Sequence, residues 1–334
     1  MSSAPTGDEI WKDARWLAQA VDPRAGLIRL VDMTPDDYRD ASFLDDRMFQ
    51  QKPITSHLLQ WGSVANSVPA TARRDARWIF HISHVGSTLI ARLLGELDGV
   101  VSVREPRSLR DLTFFPAEVR ARFIPPLQAL FSRTFGPAGS ALIKATSFVS
   151  EIAGELIPEG EPALFLYATP ASFISGIMAG ENSRKELAGR SKQRSDRLRS
   201  RGIALPDPRS EADLAAAAWA CEMIALEAVD GPNVRWADFD RVLEDMAGFL
   251  YDLAGFFAFA ASPERLSEIA NGPLMRRYSK ATEYEYSPQL RRELLGDAKE
   301  QHRADIESAL AMLDAASETT PMLRKALNRA QAES

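Results

Sequence analysis

Between Arg77 and Glu105 the chain reads RWIFHISHVGSTLIARLLGELDGVVSVRE: a short apolar run, a Gly-Ser-Thr turn, an amphipathic stretch and a second apolar run. Trp78, Ile79, Phe80 and Ile82 have the length and β-rich composition of a buried parallel strand. Leu89, Ile90, Leu93, Leu94 and Leu97 then recur at helical spacing. Ser83, His84, Val85 and Gly86 form the connecting loop. Gly86 permits backbone geometry closed to residues with a Cβ, and Ser87 and Thr88 set hydroxyls beside the unpaired N–H groups of the first helical turn. A phosphate or sulfate lodged there is stabilised by those donors and by the helix dipole. The segment therefore predicts an anion-binding strand-loop-helix. On the tripeptide alone, a merely well-capped connection stays open.

One position separates this loop from the commonest phosphate loop. A nucleoside triphosphatase reads GxxxxGK[ST], with its lysine on the β/γ-phosphates and its hydroxyl on Mg²⁺. Here no lysine precedes Ser87, and His84 stands two residues before Gly86. ATP hydrolysis is disfavoured. An imidazolium at His84 could supply the missing charge, and an anionic ligand would favour that form. His81, at the strand's end, reads as buried or as shaping the loop.

The same alternation continues along the chain. Short apolar runs at Trp78–Ile82, Val100–Val103, Ala141–Ile143, Ala163–Tyr167 and Val234–Trp236 are separated by longer helical patterns. This predicts an α/β fold, a parallel sheet with crossover helices, whose ligands lie beyond the strands' carboxyl ends. The Gly-Ser-Thr loop, Glu105, Lys144 and Thr169 all follow predicted strands at once.

FHISHVGSTLIARLL resembles the 5′-phosphosulfate loop of the sulfotransferases, particularly bacterial ones. The resemblance continues in the family's order through VSVREPRSLRDL, SALIKATSF, PALFLYATPASFISGIM, NVRWADFDRVLEDMAGFLYDLAGFF and MRRYSKATEYEYSP. It implies a P-loop-type parallel sheet flanked by helices in three α/β/α layers. It also implies 3′-phosphoadenosine-5′-phosphosulfate (PAPS) as cofactor, 3′-phosphoadenosine-5′-phosphate (PAP) as its product, and sulfuryl transfer to a hydroxyl or amine. The loop residues Ser83, His84, Val85, Gly86, Ser87 and Thr88 would hold the cofactor's 5′ end. Because the leaving group is a phosphate, no metal is expected, and protein donors can carry the charge.

The resemblance also assigns chemistry to particular residues. Glu105 matches an acidic residue that takes the acceptor's proton; its structural alternative is an ion cluster with Arg104, Arg107 or Arg110. Lys144 matches a lysine beside the transferred sulfate, where it would stabilise developing charge. A salt bridge to Glu105 is the alternative, since a lone ammonium at the end of Ala141-Leu142-Ile143 would be costly to bury. Ser279 and Lys280 match a loop whose serine and lysine approach the cofactor. By composition alone, Arg276, Arg277 and Lys280 are a solvated basic cluster.

The chain departs from the family at YATPASFISG. An arginine before the proline and a serine eight positions later hold the cofactor's 3′-phosphate in the family, and Ala168 and Gly176 stand in those places here. Ser175 is one residue short. Losing a charge-assisted contact of this kind costs about 1.5–3 kcal/mol. A replacement cation is offered by the basic segment NSRKELAGRSKQRSDRLRSR, where Arg184 and Lys185 come soon after the fourth strand's helix. The rest of that segment reads as a mobile lid, an arm for an anionic acceptor, or a solvated loop. It has no interleaved aromatic for base stacking, so nucleic acid is not expected as a partner.

The remaining features bound these readings. The chain has 334 residues, 45% of them hydrophobic, a net charge of −6 and no Pro/Gly/Ser-rich linker. This suits one large α/β domain over residues 71–290, a leader over 1–70 and a helical tail over 291–334. The leader suggests an amphipathic helix on Trp11, Ala14, Leu17, Ala18 and Val21 and a strand at Leu27–Val31, packing on the sheet's flank or adding to an acceptor pocket. The tail could cap the core or join two copies into a homodimer. The lone Cys221, in a pattern that reads as a buried helix, excludes a disulfide framework. No secretory signal or membrane span is visible, so a cytoplasmic protein acting on a small-molecule or peptide acceptor, an anionic one included, is expected. Two other readings remain open: a divergent P-loop protein that binds a nucleotide or anion without catalysis, and, less favoured, a nucleotide kinase or hydrolase. Gly86→Val is expected to abolish ligand binding while leaving the fold intact.

Overall fold

The computed structural model describes residues 3–51, 53–277 and 287–332. Five short runs rich in β-branched and aromatic residues form one parallel sheet: β4 (Arg77–His81), β5 (Val100–Arg104), β6 (Ser140–Lys144), β7 (Ala163–Tyr167) and β8 (Val234–Asp238). They lie in the order β5-β6-β4-β7-β8, each pair parallel. The central strands are covered on both faces by helices, which is why they read as continuous apolar runs. Trp78 and Phe80 stack at 5.6 Å, and Phe165 meets Phe80 and Trp236 edge-on at 5.9 and 5.1 Å. The chain is an α/β protein with helices flanking a parallel sheet, as its strand pattern predicts.

The order places a switch of direction at β4. From it the chain runs outward past β6 to β5, and later crosses back over β4 to reach β7. Ligands of open α/β sheets lie in the crevice that such a reversal opens at the strands' carboxyl ends. The register aligns Ile79 of β4 and Arg104 of β5 with Lys144 of β6, and His81 of β4 with Leu166 of β7. The ends of these strands therefore come out side by side.

The leader differs from its expected form. Instead of a helix through Val21, a short helix (Gly7–Lys12) ends early and β1 (Trp16–Asp22) begins. It pairs antiparallel with β2 (Leu27–Asp32), and β2 with β3 (Ser56–Gln60), in a separate three-stranded sheet. Six successive residues of β1 are buried. The helix Arg107–Leu112 covers it, with Ser108 Oγ donating to the Ala18 carbonyl at 2.7 Å and Val21 N–H donating to Asp111 at 3.2 Å. Burial on both faces erases the alternation that marks a strand.

The leader is fastened to the main sheet by a buried guanidinium. Arg104, 1% exposed at the end of β5, donates to the carbonyls of Ala41 at 2.6 and 3.0 Å, Ser102 at 3.2 Å, Arg39 at 3.4 Å and Tyr38. Leu44 N–H returns a bond to the Arg104 carbonyl at 2.7 Å. Residues 43–47 are thereby held beside the carboxyl end of β5.

After Arg201 the helix Glu211–Glu227 runs through the core with Trp219 and Cys221 enclosed, and helices Pro288–Gln301, Arg303–Ser317 and Pro321–Ala332 pack around it and around the helix Pro170–Met178. Among the described residues, no helix is long and apolar enough to cross a membrane, and no group of three or more His, Cys, Asp or Glu side chains could hold a metal ion.

Candidate active site

Three strand ends supply the site. After β4 the chain turns through Ser83, His84 and Gly86 at φ values of 82°, 53° and 62°, all left-handed, before the helix Ser87–Leu94 starts. Gly86 caps that helix with no side-chain hydrogen bond, so the first-turn N–H groups have no side-chain acceptor in this position. Val85 is buried in the core, which leaves its amide as the part able to meet a ligand. Ser87 and Thr88 are buried in the first turn.

His81 sets this loop's shape. Its Nδ1 accepts the Ser83 N–H at 3.0 Å, and its Nε2 lies 3.0 Å from the Ala145 carbonyl. The first bond needs a lone pair on Nδ1 and the second a proton on Nε2, so the geometry selects the neutral Nε2–H tautomer. The imidazole ties the loop to the end of β6.

Glu105 and Lys144 meet across the ends of β5 and β6. Lys144 Nζ bonds Glu105 Oε1 and lies 3.3 Å from Thr88 Oγ1, in the first turn of the loop helix. Glu105 Oε2 is bonded at 3.2 Å by Arg47, from the leader. The Glu105 backbone sits at φ 55° and its N–H donates to the Lys144 carbonyl at 2.7 Å. A left-handed glutamate costs about 1–2 kcal/mol and persists only where its surroundings over-determine it, a pattern that concentrates at functional sites. Lys144 thus meets one oxygen of the carboxylate and Arg47 the other.

Arg47 had no signal in the sequence. It lies in the leader, holds Asp45 through two bonds of 2.8 Å and sits 3.4 Å above the Phe43 ring. The Arg104 strap and the pairing of Arg107 with Asp46, contacts between residues far apart in the chain, bring it to Glu105.

The strand ends on the other side are closed. Ala168 is wholly buried after β7, and its carbonyl accepts the Trp219 indole N–H at 2.9 Å. Thr169 caps the helix Pro170–Met178 by accepting the Ser172 N–H at 3.2 Å. Ser175 is 2% exposed, and a Cβ on Gly176 would lie 3.5 Å from Leu295 of the helix Pro288–Gln301. After β8, Phe239 covers Gly86: a Cβ there would come within 1.9 Å of the ring. Arg291 lies 5.1 Å over that ring and bonds Asp240 at 3.0 Å, while Asp240 also accepts the Ser172 hydroxyl.

Of the remaining predicted site residues, Arg184 pairs with Glu211 at 3.5 Å, and Ser279 and Lys280 lie outside the described residues. The basic segment is neither a free lid nor a solvated loop. It forms the helices Glu181–Ala188 and Ser191–Ser200, with Arg194 buried against Glu222 at 3.1 Å and Arg197 stacked 3.5 Å from the Phe148 ring. Burial pushes the Glu222 carboxyl above its ordinary range, and Arg194 offsets part of that rise.

No protein-family model matches the chain. No characterised relative matches its sequence. Among solved structures, the chain is similar to a sulfotransferase domain from the curacin biosynthetic pathway, at 13% identity over 72% of this chain and 97% of that one, with a TM-score of 0.39. It is also similar to a crystal structure of mouse sulfotransferase SULT7A1 complexed with PAP, at 12% identity over 76% of this chain and 89% of that one, with a TM-score of 0.39.

Proposed function

We propose that the protein transfers a sulfuryl group from PAPS to a hydroxyl or amine, using the ends of β4, β5 and β6. The observation that carries this reading is the meeting of Lys144 with both Glu105 and the first turn of the uncapped loop helix. That arrangement offers a cation and backbone donors for an anion beside a carboxylate for a proton, which is what transfer to a neutral nucleophile requires. A kinase reading has less support, since neither a loop lysine nor a cluster of metal-binding carboxylates accompanies the loop among the described residues.

The residues fit the two ends of PAPS differently. Amides of Val85 to Thr88, the Thr88 hydroxyl and Lys144 would hold the phosphosulfate. Enclosed Ala168 and packed Gly176 leave no family contact for the 3′-phosphate, Ser175 is enclosed, and Arg184 is paired with Glu211. Arg291 is better situated, one aromatic ring from Gly86. When bound, the cofactor supplies the sulfuryl group and departs as PAP. Glu105 would take the acceptor's proton, Lys144 would stabilise charge developing at the sulfate, and Arg47 would fix the carboxylate's direction.

Thermal stabilisation of the full chain by PAP, against ATP with Mg²⁺, tests the reading. Selective binding raises stability by mass action, about 2.7 kcal/mol at a hundredfold excess over Kd. A rise with PAP alone is expected. Preference for Mg-ATP, or indifference to both, overturns it.

A further inference from the structure

Beyond Glu105 lies an excess of guanidinium groups. Arg110 stands on the helix Arg107–Leu112 that follows Glu105, and Phe148 stands in the 3₁₀ turn Ser147–Ile152 that follows Lys144. Both therefore emerge from the strand ends that carry the candidate proton acceptor and its lysine. The Phe148 ring is flanked by Arg190 at 4.7 Å and Arg197 at 3.5 Å, and by the ring of Phe114 at 6.1 Å. Phe114 is 54% exposed, so this side of the cluster opens to water.

Most arginines here are answered by carboxylates. Arg194 has Glu222 at 3.1 Å; Arg197 and Arg201 share Glu151 at 3.6 and 2.8 Å; Arg107 has Asp46 at 2.7 Å and Asp111 at 3.1 Å. Arg190 has no carboxylate within ion-pair reach among the described residues. Among the described residues Arg110 has Asp45 alone, at 4.0 Å, which Arg47 already holds at 2.8 Å. Both are half-buried. Burial first, then the charges of Arg110 and Arg194, push the Arg190 guanidinium below its ordinary value. Among the described residues Arg190 and Arg110 are only weakly compensated, by the charge of Glu186 and by Asp45 at 4.0 Å respectively, and a bound anion would relieve that cost.

We infer that the acceptor carries a carboxylate, phosphate or sulfate group, and that Arg110 and Arg190 receive it while its hydroxyl or amine faces Glu105. This rests on the sulfuryl-transfer reading and names the substrate class for it. Phe114 and Phe148 beside the two guanidiniums suit an acceptor with a planar apolar body.

The test uses three acceptor-like phenols of nearly one shape: 4-hydroxyphenylacetate, its neutral alcohol tyrosol, and the cationic tyramine. Each is titrated calorimetrically into the full-length protein, with and without PAP. The anion is expected to bind about tenfold or more tighter than tyrosol, as one charge-assisted contact gives, with tyramine weakest. Arg190→Gln, and separately Arg110→Gln, should reduce that preference to under about threefold, while PAP still raises the melting temperature as in the unaltered chain. Equal binding of the three phenols, binding of none at millimolar concentration, or a preference unchanged in both variants overturns the inference. If PAP fails to stabilise the protein while the arginine-dependent anion preference persists, the transfer reading falls and the anion site stands.

Discussion

The carboxylate of Glu105 is bonded to the ammonium of Lys144, and the same glutamate holds its backbone left-handed while accepting a second cation, Arg47. Lys144 is 0% exposed and Glu105 13%, so the pair is shielded from solvent. Removing one member of such a pair typically costs about 3–5 kcal/mol, because the other charge stays buried, whereas removing both is closer to neutral. Glu105→Gln is therefore expected to lower stability by about 3 kcal/mol in urea denaturation, and Glu105→Gln/Lys144→Met to recover most of it. Below its melting temperature the single variant should also lose about 10²–10⁴ in turnover with little change in PAP affinity. A fully active Glu105→Gln would leave the pair a purely structural device.

Gly86 behaves differently from the expectation drawn from its loop. The loop sequence predicts that substitution there spares the fold and abolishes binding, but a Cβ would enter the Phe239 ring at 1.9 Å, on a backbone at φ 62°. The left-handed conformation alone costs a residue with a Cβ about 1–2 kcal/mol, and displacing a packed ring adds to it. Gly86→Val is expected to destabilise the protein by more than about 3 kcal/mol, with Phe239→Leu restoring part of the loss by clearing space. A Gly86→Val protein that melts like the unaltered chain would contradict the packing of Phe239 on the loop.

What the sequence reveals and conceals follows from how far apart the cooperating residues lie. Each strand of the main sheet is a compact β-rich run, so Trp78–Ile82 and its four counterparts are legible locally. Glu105 and Lys144 are visible as charges at the ends of apolar runs. By contrast β1 is buried on both faces and loses its alternation. Phe239 over Gly86, Arg47 on Glu105 and Arg291 on Asp240 are contacts between distant segments, and no local period encodes them. Arg194 illustrates the same limit: in a run of basic residues it reads as solvated, and only its partner Glu222 in the core helix makes it a buried group.

Cys221 offers a test of the core. Burial pushes its thiol up to about 12, above the ordinary value of 9.0. The thiolate is the reactive form, so the native protein should not react with a colorimetric disulfide reagent near pH 8, and one thiol should appear on unfolding. Linkage fixes the sign of a second effect. Between about pH 9 and pH 12 the native state keeps a proton that the unfolded chain has lost, so stability falls as pH rises through that window. Cys221→Ala should flatten this slope in denaturation measured across that range; rapid labelling of the native thiol would place Cys221 outside the core.

Arg291 tests whether the tail takes part in the proposed cofactor binding. Its guanidinium lies 5.1 Å over Phe239, the ring that covers Gly86, and its bond to Asp240 connects it to Ser172 at the start of the helix after β7. That region carries Ala168 and Gly176, where the sequence resemblance places an arginine and a serine for a 3′-phosphate. Arg291→Met keeps an apolar stem against the ring while removing the charge. If Arg291 receives the 3′-phosphate, the variant should bind PAP about tenfold to a hundredfold more weakly, the worth of a charge-assisted contact of about 1.5–3 kcal/mol. Its affinity for AMP, which lacks that phosphate, should not change. A parallel loss for both nucleotides would indicate a displaced loop, and unaltered PAP binding would assign the 3′-phosphate to another cation.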